Sequence, residues 1–287
     1  MNVKKISIIT LTYKNWHLLD NAISSVASQI VESQYELEYL IVDDGTNDFD
    51  KEHINTLLSQ TKLNYRIIVN PENMGTVASF NNAIRQSQGD IIIPLSADDV
   101  FFDSSVVMCI TKYFESNNFL IITGLRAINS YLSQSIDNAL PILNDRKLFS
   151  NPKALLKKII LDGNIISGAC TYYHRDAFNL LGHFDESYRL LEDYPFYVKA
   201  LSNSIPIGLL NSICIYYNDN GISNKKNISP MLSADFNKLH HSNLKSKNIS
   251  FFERRYIKYN RIMSTRERYK YMLFYPEQVL FWIFNKK

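Results

Sequence analysis

The stretch Asp90-Ile-Ile-Ile-Pro-Leu-Ser-Ala-Asp-Asp99 decides the fold, because it predicts a strand and a site together. A short apolar run between Gly89 and two carboxylates is typical of a buried strand. In open α/β sheets, ligands bind beyond the carboxyl ends of the strands. Asp98 and Asp99 would reach that crevice, where adjacent carboxylates suit a hard divalent cation carrying substrate phosphates. The alternative is a solvated turn that caps the next helix.

Two other segments end in the same way. Residues 37–46 contain an apolar run that leads to Asp43, Asp44 and a glycine turn. The N-terminal apolar run ends in polar and aromatic groups at Thr12, Tyr13 and Asn15. Since the carboxyl ends of parallel strands meet at one edge, we expect these side chains to share a crevice of the kind that binds nucleotides.

Helical spacing of apolar residues separates the predicted strands. It occurs at Leu18, Leu19, Ala22, Ile23 and Val26, and again at Phe80, Ala83 and Ile84. Strands that alternate with helices predict βαβ units and a mostly parallel central sheet, so the fold class is α/β.

In order and spacing, these motifs resemble the family 2 glycosyltransferases of GT-A fold. The resemblance covers residues 5 to about 224 and implies a nucleotide-sugar half (1–100), an acceptor half (101–224) and a helical tail (225–287). It also implies sugar transfer from a nucleotide diphosphate donor, UDP-sugar being favoured, with inversion and with Mg²⁺ or Mn²⁺. The motifs are Thr12-Tyr-Lys-Asn15, Val42-Asp-Asp-Gly-Thr46, Asn73-Met-Gly75, Asn81-Asn-Ala-Ile84, Gly89-Asp90, Ser96-Ala-Asp-Asp99, Gly182-His-Phe-Asp-Glu186 and Leu191-Glu-Asp193.

The resemblance assigns the donor side residue by residue. Asp43 would accept a hydrogen bond from a pyrimidine N3–H, with Tyr13 and Thr12 near the base, and Asp44 would contact the nucleotide or orient the turn. Asn73 and Gly75 would form a loop before a helix opening at about Thr76, whose N-terminus favours phosphate. Asp98 and Asp99 would hold the metal, and Asp98 would also contact the donor. Ser96 replaces the first acid of the family's Asp-x-Asp-Asp pattern.

Glu192 and Asp193 are the predicted catalytic acids. Pro195 is tolerated only in the first turn of a helix, so the helix should begin near these residues and direct both acids to the crevice. We expect Asp193 to be the general base and Glu192 to support it or to contact the acceptor. A plain N-cap at Asp193 is the alternative. Residues 218–220 stand where members of the resembled family often carry a histidine. A histidine-mediated contact to the diphosphate therefore cannot be carried over to this chain.

Composition is that of a folded globular protein, with 46% hydrophobic and 21% charged residues among 287. The three cysteines, Cys109, Cys170 and Cys214, form neither a zinc pattern nor a disulfide framework, which favours a reducing compartment. The N-terminus enters the first strand directly, and no apolar run is long enough for a membrane span. We therefore expect a cytoplasmic protein.

The tail differs from the rest of the chain in charge. Residues 251–287 contain nine Lys/Arg against three Glu, a net charge of +6, which leaves −3 for the other 250 residues. Eleven aromatic residues interleave with these charges, a pattern that favours an anionic membrane surface over nucleic acid. Packing of the aromatics on the catalytic domain is the alternative.

The sequence therefore predicts a glycosyltransferase that uses a nucleotide-sugar donor and a glycan or lipid-linked acceptor. Bacterial surface polysaccharide synthesis (capsule or O-antigen) at the inner face of the plasma membrane is the expected setting. A sugar nucleotidyltransferase would have a glycine-rich basic loop after the first strand, and residues 11–16 contain no glycine. A non-catalytic nucleotide-sugar-binding scaffold is the other alternative.

Overall fold

The computed structural model describes residues 1, 3–128, 136–217, 229–278 and 280. One mixed sheet of eight strands runs through this part of the chain. The strands are β1 (Lys5–Thr12), β2 (Glu36–Asp43), β3 (Asn64–Val69), β4 (Ile91–Pro94), β5 (Val100–Phe101), β6 (Ile121–Ile128), β7 (Thr171–His174) and β8 (Ile207–Tyr217). Their spatial order is β3-β2-β1-β4-β7-β6-β8-β5.

The first four strands form the predicted parallel sheet. β1 lies between β2 and β4 and runs parallel to both, and β3 runs parallel to β2 at the edge. The crossovers between them carry helices, as βαβ units require. The predicted βαβ units and their parallel strands are therefore confirmed, whereas the assignment of residues 1–100 as the nucleotide-sugar half stays a prediction.

The second half of the sheet is mixed rather than parallel. β7 runs antiparallel to β4 and to β6, β8 runs parallel to β6, and the short β5 runs antiparallel to β8. The register between β6 and β8 shifts at Leu125, which bends that side of the sheet. The predicted predominance of parallel pairing therefore applies to the N-terminal four strands.

Helices cover both faces of the sheet. They are α1 (Leu19–Ala27), α2 (Lys51–Ser59), α3 (Thr76–Gln86), α4 (Val106–Ser116), α5 (Leu143–Arg146), α6 (Pro152–Leu161), α7 (Arg175–Leu181), α8 (Asp193–Ser202), α9 (Pro230–Asn243), α10 (Phe251–Ile257) and α11 (Thr265–Lys270). The apolar residues of α1, α2 and α4 form one core, and those of α3, α6, α7 and α8 form the other. Alternate residues of β4 enter opposite cores: Ile91 and Ile93 face the first, and Ile92 faces the second.

The C-terminal helices pack on the body rather than standing apart from it. Leu232, Leu239, Ile249 and Ile257 all belong to the same buried cluster as α3 and α8. The predicted boundary at 224–225 lies outside the described residues, so that boundary stays a prediction. In the described part of the chain, no helix is both long and apolar enough to cross a membrane.

Candidate functional site

The strand ends predicted to form a site do lie together. In the parallel register of β1 and β2, Thr12 pairs with Asp43, so both strands end at the same level. Two turns continue from there and are tied to each other, because the Lys14 N–H donates to Thr46 Oγ1 at 3.0 Å. Thr12 Oγ1 donates to Asn15 Oδ1 at 2.9 Å, which buries the Thr12 hydroxyl inside its own turn.

Tyr13 remains accessible at this edge, with 41% of its surface exposed. Its N–H donates to Asn15 Oδ1 at 3.0 Å, which fixes the backbone of the turn. Lys14 adopts a left-handed conformation with φ of 61°, and its Nζ lies 5.0 Å from the Tyr13 ring centroid. The tyrosine ring is thus held at the surface of the crevice, where a planar ligand could stack on it.

Asp43 is fully buried and only half satisfied. Its Oδ2 accepts a hydrogen bond from the Thr46 N–H at 2.8 Å. Its Oδ1 is buried and accepts no hydrogen bond. A buried polar atom without a partner is costly, and such atoms concentrate at functional sites. Asp43 Oδ1, at the end of β2, is therefore an acceptor without a protein donor, and we call it the reserve acceptor.

The neighbouring Asp44 has the opposite environment. Both of its oxygens are engaged by donors from the loop and helix that follow β3. The donors are Asn70 Nδ2, Met74 N and Ser79 Oγ on Oδ1, with Asn73 Nδ2 and Gly75 N on Oδ2, at distances of 2.6–3.0 Å. These five bonds make Asp44 the organiser of the loop before α3, which agrees with the predicted role in orienting the turn. Its predicted contact with the donor stays a prediction.

The start of α3 is already paired with protein groups. Gly75 adopts φ of 87° and donates its N–H to Asp44, while the Val77 N–H donates to the Arg189 carbonyl at 3.3 Å. Arg189 Nη2 also donates to Asn73 Oδ1 at 2.9 Å. The anion at this helix start is the carboxylate of Asp44, so the two N–H groups are not free to bind a phosphate here.

Asp98 and Asp99 follow β4 as predicted but differ in exposure. Asp98 is half-buried, and burial raises the pKa of its carboxyl. Asp99 is only 1% exposed, so the solvated turn offered as the alternative does not describe this residue. Within the described residues no cluster of three or more metal-ligating side chains occurs. Two adjacent carboxylates nevertheless fit Mg²⁺ or Mn²⁺ of the kind held by one or two protein ligands together with substrate phosphates.

Glu192 and Asp193 lie where α8 begins, as predicted. Asp193 is the first helical residue, and its Oδ1 accepts the Tyr194 N–H at 2.7 Å. Glu192 occupies the N-cap position without a capping side-chain bond, so the alternative of Asp193 as a plain N-cap is wrong. Burial raises the pKa of both carboxyls, and the charge of Asp193 raises the pKa of Glu192 further. Such a pair holds its proton at a higher pH than an ordinary carboxyl.

A short turn at Gly168–Cys170 lies near Asp193 at one end and within the electrostatic influence of Asp99 at the other. A β-carbon at Gly168 would lie 2.6 Å from Asp193 Oδ2, so only glycine lets the backbone approach this carboxylate. At the other end of the turn, burial raises the pKa of the Cys170 thiol to about 11, and the charge of Asp99 adds to that rise. Asp193 thus lies against one end of this turn, and the charge of Asp99 acts on the other end.

A cavity of about 210 Å³ opens beside this turn. Its polar lining comes from Arg126, Asp145, Asn164 and Ser167, and Ile142 and Ile166 supply part of its apolar lining. The mixed lining and the adjacent carboxylate of Asp193 suit a polyhydroxylated ligand.

Asp235 on α9 holds the segment that leads into the acid pair. Its carboxylate accepts the N–H groups of Arg189, Leu190 and Leu191 at 2.7–3.3 Å. Asp235 is 6% exposed, and its charge adds to the rise in the pKa of Glu192. A residue of the C-terminal helices thus fixes both the position and the electrostatics of the acids.

The motif at Gly182–Glu186 has a structural role in this chain. Asn81 Nδ2 donates to the Phe184 carbonyl at 2.8 Å and to Glu186 Oε1 at 2.9 Å, and Asn81 Oδ1 accepts the Phe184 N–H at 3.1 Å. These bonds join α3 of the first half of the sheet to the loop before α8.

Sequence reasoning missed Gly168, Arg189 and Asp235 as contributors to the site. None of them lies in a recognisable pattern, since a lone glycine, arginine or aspartate has many ordinary structural uses. The alternation and strand-end signals act over short distances, whereas these contacts join segments far apart in the chain, such as Asp235 and Leu190.

The family model described as Glycosyl transferase family 2 matches residues 7–182, about three-fifths of the chain. An uncharacterized glycosyltransferase of Haemophilus influenzae is 26% identical over 201 residues, covering 70% of this chain and 73% of that protein. The bifunctional glycosyltransferase pgtA of Dictyostelium discoideum is 24% identical over 259 residues, covering 82% of this chain and 32% of that protein.

Solved structures show the same fold. S. aureus TarS 1–349 in complex with UDP superposes with a TM-score of 0.60 at 17% identity, covering 89% of this chain and 69% of that one. The mannosyltransferase PcManGT of Pyrobaculum calidifontis, in complex with GDP-Man and Mn²⁺, superposes with a TM-score of 0.57 at 13% identity. The match covers 90% of this chain and 73% of that one. The sheet, the strand-end acids and the family match agree: the chain belongs to glycosyl transferase family 2 and has the GT-A fold.

Proposed function

We propose that this glycosyltransferase moves a sugar from a nucleotide-diphosphate donor, preferably a UDP-sugar, to a hydroxyl of a glycan or lipid-linked acceptor with inversion. The observation that carries the proposal is the turn Gly168–Cys170, because Asp193 lies against Gly168 and the charge of Asp99 acts on Cys170. A donor and an acceptor held on either side of this turn would meet beside Asp193.

On the donor side, the reserve acceptor of Asp43 is suited to the imide N–H of a uracil base. Tyr13 offers an exposed ring at the same edge. Asp98 and Asp99 would hold Mg²⁺ or Mn²⁺, and such an ion would neutralise charge on the leaving diphosphate. The UDP complex of TarS and the GDP-Man and Mn²⁺ complex of PcManGT are consistent with a nucleotide-sugar donor for this fold.

On the acceptor side, Asp193 is the proposed base. Its raised pKa brings it closer to neutral pH, where a base removes a hydroxyl proton most effectively. The proton passes from the acceptor hydroxyl to Asp193 as the oxygen attacks the anomeric carbon. Attack opposite the departing diphosphate inverts that carbon. The pKa of Glu192 is raised in part by the charge of Asp193, and Glu192 is proposed to contact the acceptor.

The first test is ligand binding by the purified protein. We expect UDP with Mn²⁺ to raise the melting temperature more than UDP alone, since a ligand of the native state stabilises it by mass action. Because Asp99 is buried, Asp99→Asn is a better probe than alanine, and it should remove the increment due to Mn²⁺. Stabilisation by neither UDP nor GDP, with or without Mn²⁺, would contradict the proposed donor class.

Product analysis tests the reaction class. Transfer releases a nucleoside diphosphate and forms an inverted anomeric bond, which proton NMR of the product identifies. A sugar nucleotidyltransferase would instead release pyrophosphate. A non-catalytic scaffold would bind the donor and release neither.

We also propose that the C-terminal helices bring the enzyme to an anionic membrane, at the inner face of the plasma membrane, where it would build capsule or O-antigen chains. The supporting feature is an exposed apolar set flanked by the exposed cations Lys258, Arg266 and Lys270. This set, the aromatic patch, comprises Phe251, Phe252, Tyr269, Leu273 and Phe274, each 66–85% exposed. Aromatic and basic residues in this arrangement suit the headgroup layer.

Vesicle sedimentation tests the membrane proposal. Binding should be stronger to anionic than to neutral vesicles and should weaken as salt is added. Leu273→Ser with Phe274→Ser should reduce it, whereas Leu180→Ser, an equally exposed position on α7, should not. Equal binding to both kinds of vesicle, or none, would contradict the proposal.

A further inference from the structure

A second cleft lies along α8, C-terminal to Asp193. It has a volume of about 480 Å³ and is bounded by α8, α9 and the loop after α7. In this rear cleft, Phe196, Val198 and Leu239 contribute to the apolar floor. Polar groups from His183, Asp185, Lys199, Ser242 and Asn243 surround that floor. The volume falls within the range of about 300–1,000 Å³ that is usual for small-molecule sites.

Asn243 is the unusual residue of the rear cleft. It is 2% exposed, and its Nδ2 is buried without a hydrogen-bond partner. Its backbone carbonyl closes the end of α9 by accepting the Ser246 N–H, but no hydrogen bond holds the side-chain amide. Buried amides are normally paired, since an unpaired one costs about 1–3 kcal/mol. Asn243 is among the residues that line the rear cleft, where a ligand would supply the missing partner.

The other polar groups around the rear cleft are prepared for hydrogen bonding. Asp185 is held by Ser187, whose N–H donates to Asp185 Oδ1 at 2.9 Å, and these bonds help to keep the pKa of that carboxyl low. Lys199 is exposed and forms no ion pair with another described residue. Burial lowers the pKa of His183, so its ring is neutral at pH 7 and offers one donor and one acceptor.

The balance of charge defines the chemical class of the ligand. One carboxylate, one ammonium and a neutral imidazole line the cleft, so the site has no strong preference for a phosphate or for a cation. Both hydrogen-bond donors and acceptors are present beside an apolar floor. That combination matches a pyranose ring, which presents hydroxyls at its edge and C–H groups on its faces.

We propose that the rear cleft is a second carbohydrate-binding site, which holds a sugar unit of the glycan acceptor away from its reacting end. The glycan role rests on the proposed function, although sugar binding itself does not. Lys199 lies six residues after Asp193 on α8, a rise of about 9 Å along the helix. A chain anchored at that distance would present its end to Asp193 at a raised effective concentration.

The experiment measures binding of methyl glycosides by saturation-transfer NMR, in the presence of saturating UDP and Mg²⁺. The panel comprises methyl glycosides of glucose, galactose, mannose, rhamnose and the two common N-acetylhexosamines. We expect at least one to bind at millimolar concentration. Asn243→Leu should weaken that binding about fivefold, the effect of one lost hydrogen bond. Asn237→Leu, at an exposed position of the same helix, is the matched control and should not.

Lys199→Met provides a second variant at an exposed position, in case Asn243→Leu fails to fold, and should also weaken binding about fivefold. Binding of no panel member, or binding that neither variant weakens, would overturn the proposal. UDP affinity is measured on the same samples. If UDP binds and the glycosides do not, the rear cleft alone is refuted. If the glycosides bind and UDP does not, the proposed donor site is the part that fails.

Discussion

The acids that end β2 and the acids that begin α8 are two adjacent pairs with opposite surroundings. Asp44 accepts five hydrogen bonds from α3 and the loop before it. Its carboxylate therefore holds that loop in place. Asp193 accepts one bond, from the N–H of the next residue, and burial raises its pKa. The number of donors around a carboxylate thus separates an organiser of structure from a group that is ready to take a proton.

The largest expected effect is on the second pair. Asp193→Asn keeps the size and the bond to the Tyr194 N–H but cannot accept a proton, so the transfer rate should fall about 10²–10⁴-fold. Glu192→Gln should be less damaging and should act mainly on acceptor affinity. Steady-state kinetics with a saturating donor would measure both. If Glu192→Gln is the inactive variant, the roles are exchanged, and if both variants are fully active, the acceptor-side assignment fails.

The next effect is on stability and concerns the first pair. Asp44→Ala leaves buried donors of the loop before α3 without an acceptor, and should reduce the free energy of unfolding by about 3 kcal/mol. Urea denaturation would measure the loss. Asp43→Ala is the matched control, because Asp43 accepts only the Thr46 N–H. If the two variants lose the same free energy of unfolding, Asp44 is no more important to the structure than Asp43.

A smaller effect is expected on nucleotide binding. Asp43→Ala should weaken binding of UDP by about 1–3 kcal/mol, since it removes the reserve acceptor at the end of β2. Isothermal titration with UDP alone would show it, because the contact is remote from the sugar. Unchanged affinity would assign Asp43 to the structure of the turn.

The smallest effect is a shift in pH dependence. The proposed base must be deprotonated, so kcat/KM should fall as the pH drops through the raised pKa of the acid pair. Asp235→Asn removes a negative charge that helps to raise the pKa of Glu192, so this acid limb should move to lower pH. We expect a shift of less than about one pH unit. If the acid side of the kcat/KM profile keeps its midpoint pH while activity falls, Asp235 acts only by positioning residues 189–191.

Several of the first strands and helices and the main acids could be predicted from sequence, because both depend on short-range patterns. Alternation of apolar runs and helical spacing gave β1, β2, β4, α1 and α3, and Pro195 located the start of α8. The mixed pairing of β5 to β8 could not be predicted, since partners such as β4 and β7 are about 80 residues apart in the chain.

The candidate site was predictable only as far as residue type marks chemistry. The difference between Asp43 and Asp44 depends on donors such as Asn70 and Ser79, whose side chains converge only after folding. The burial of Asp99 depends likewise on packing around β4, and a pattern of letters does not contain it.

The clasp of Asp235 on the segment 189–191 has a consequence for how such enzymes diversify. The family match ends at residue 182, so both acids before α8 and the residue that positions them lie beyond it. An exchange between relatives that moved residues 183–243 as a unit would carry the proposed base, Asp193, together with Asp235, which holds the segment before it. A shorter exchange that left α9 behind would separate the two. A segment that carries the proposed base with its support is therefore longer than the motif Leu191-Glu-Asp193.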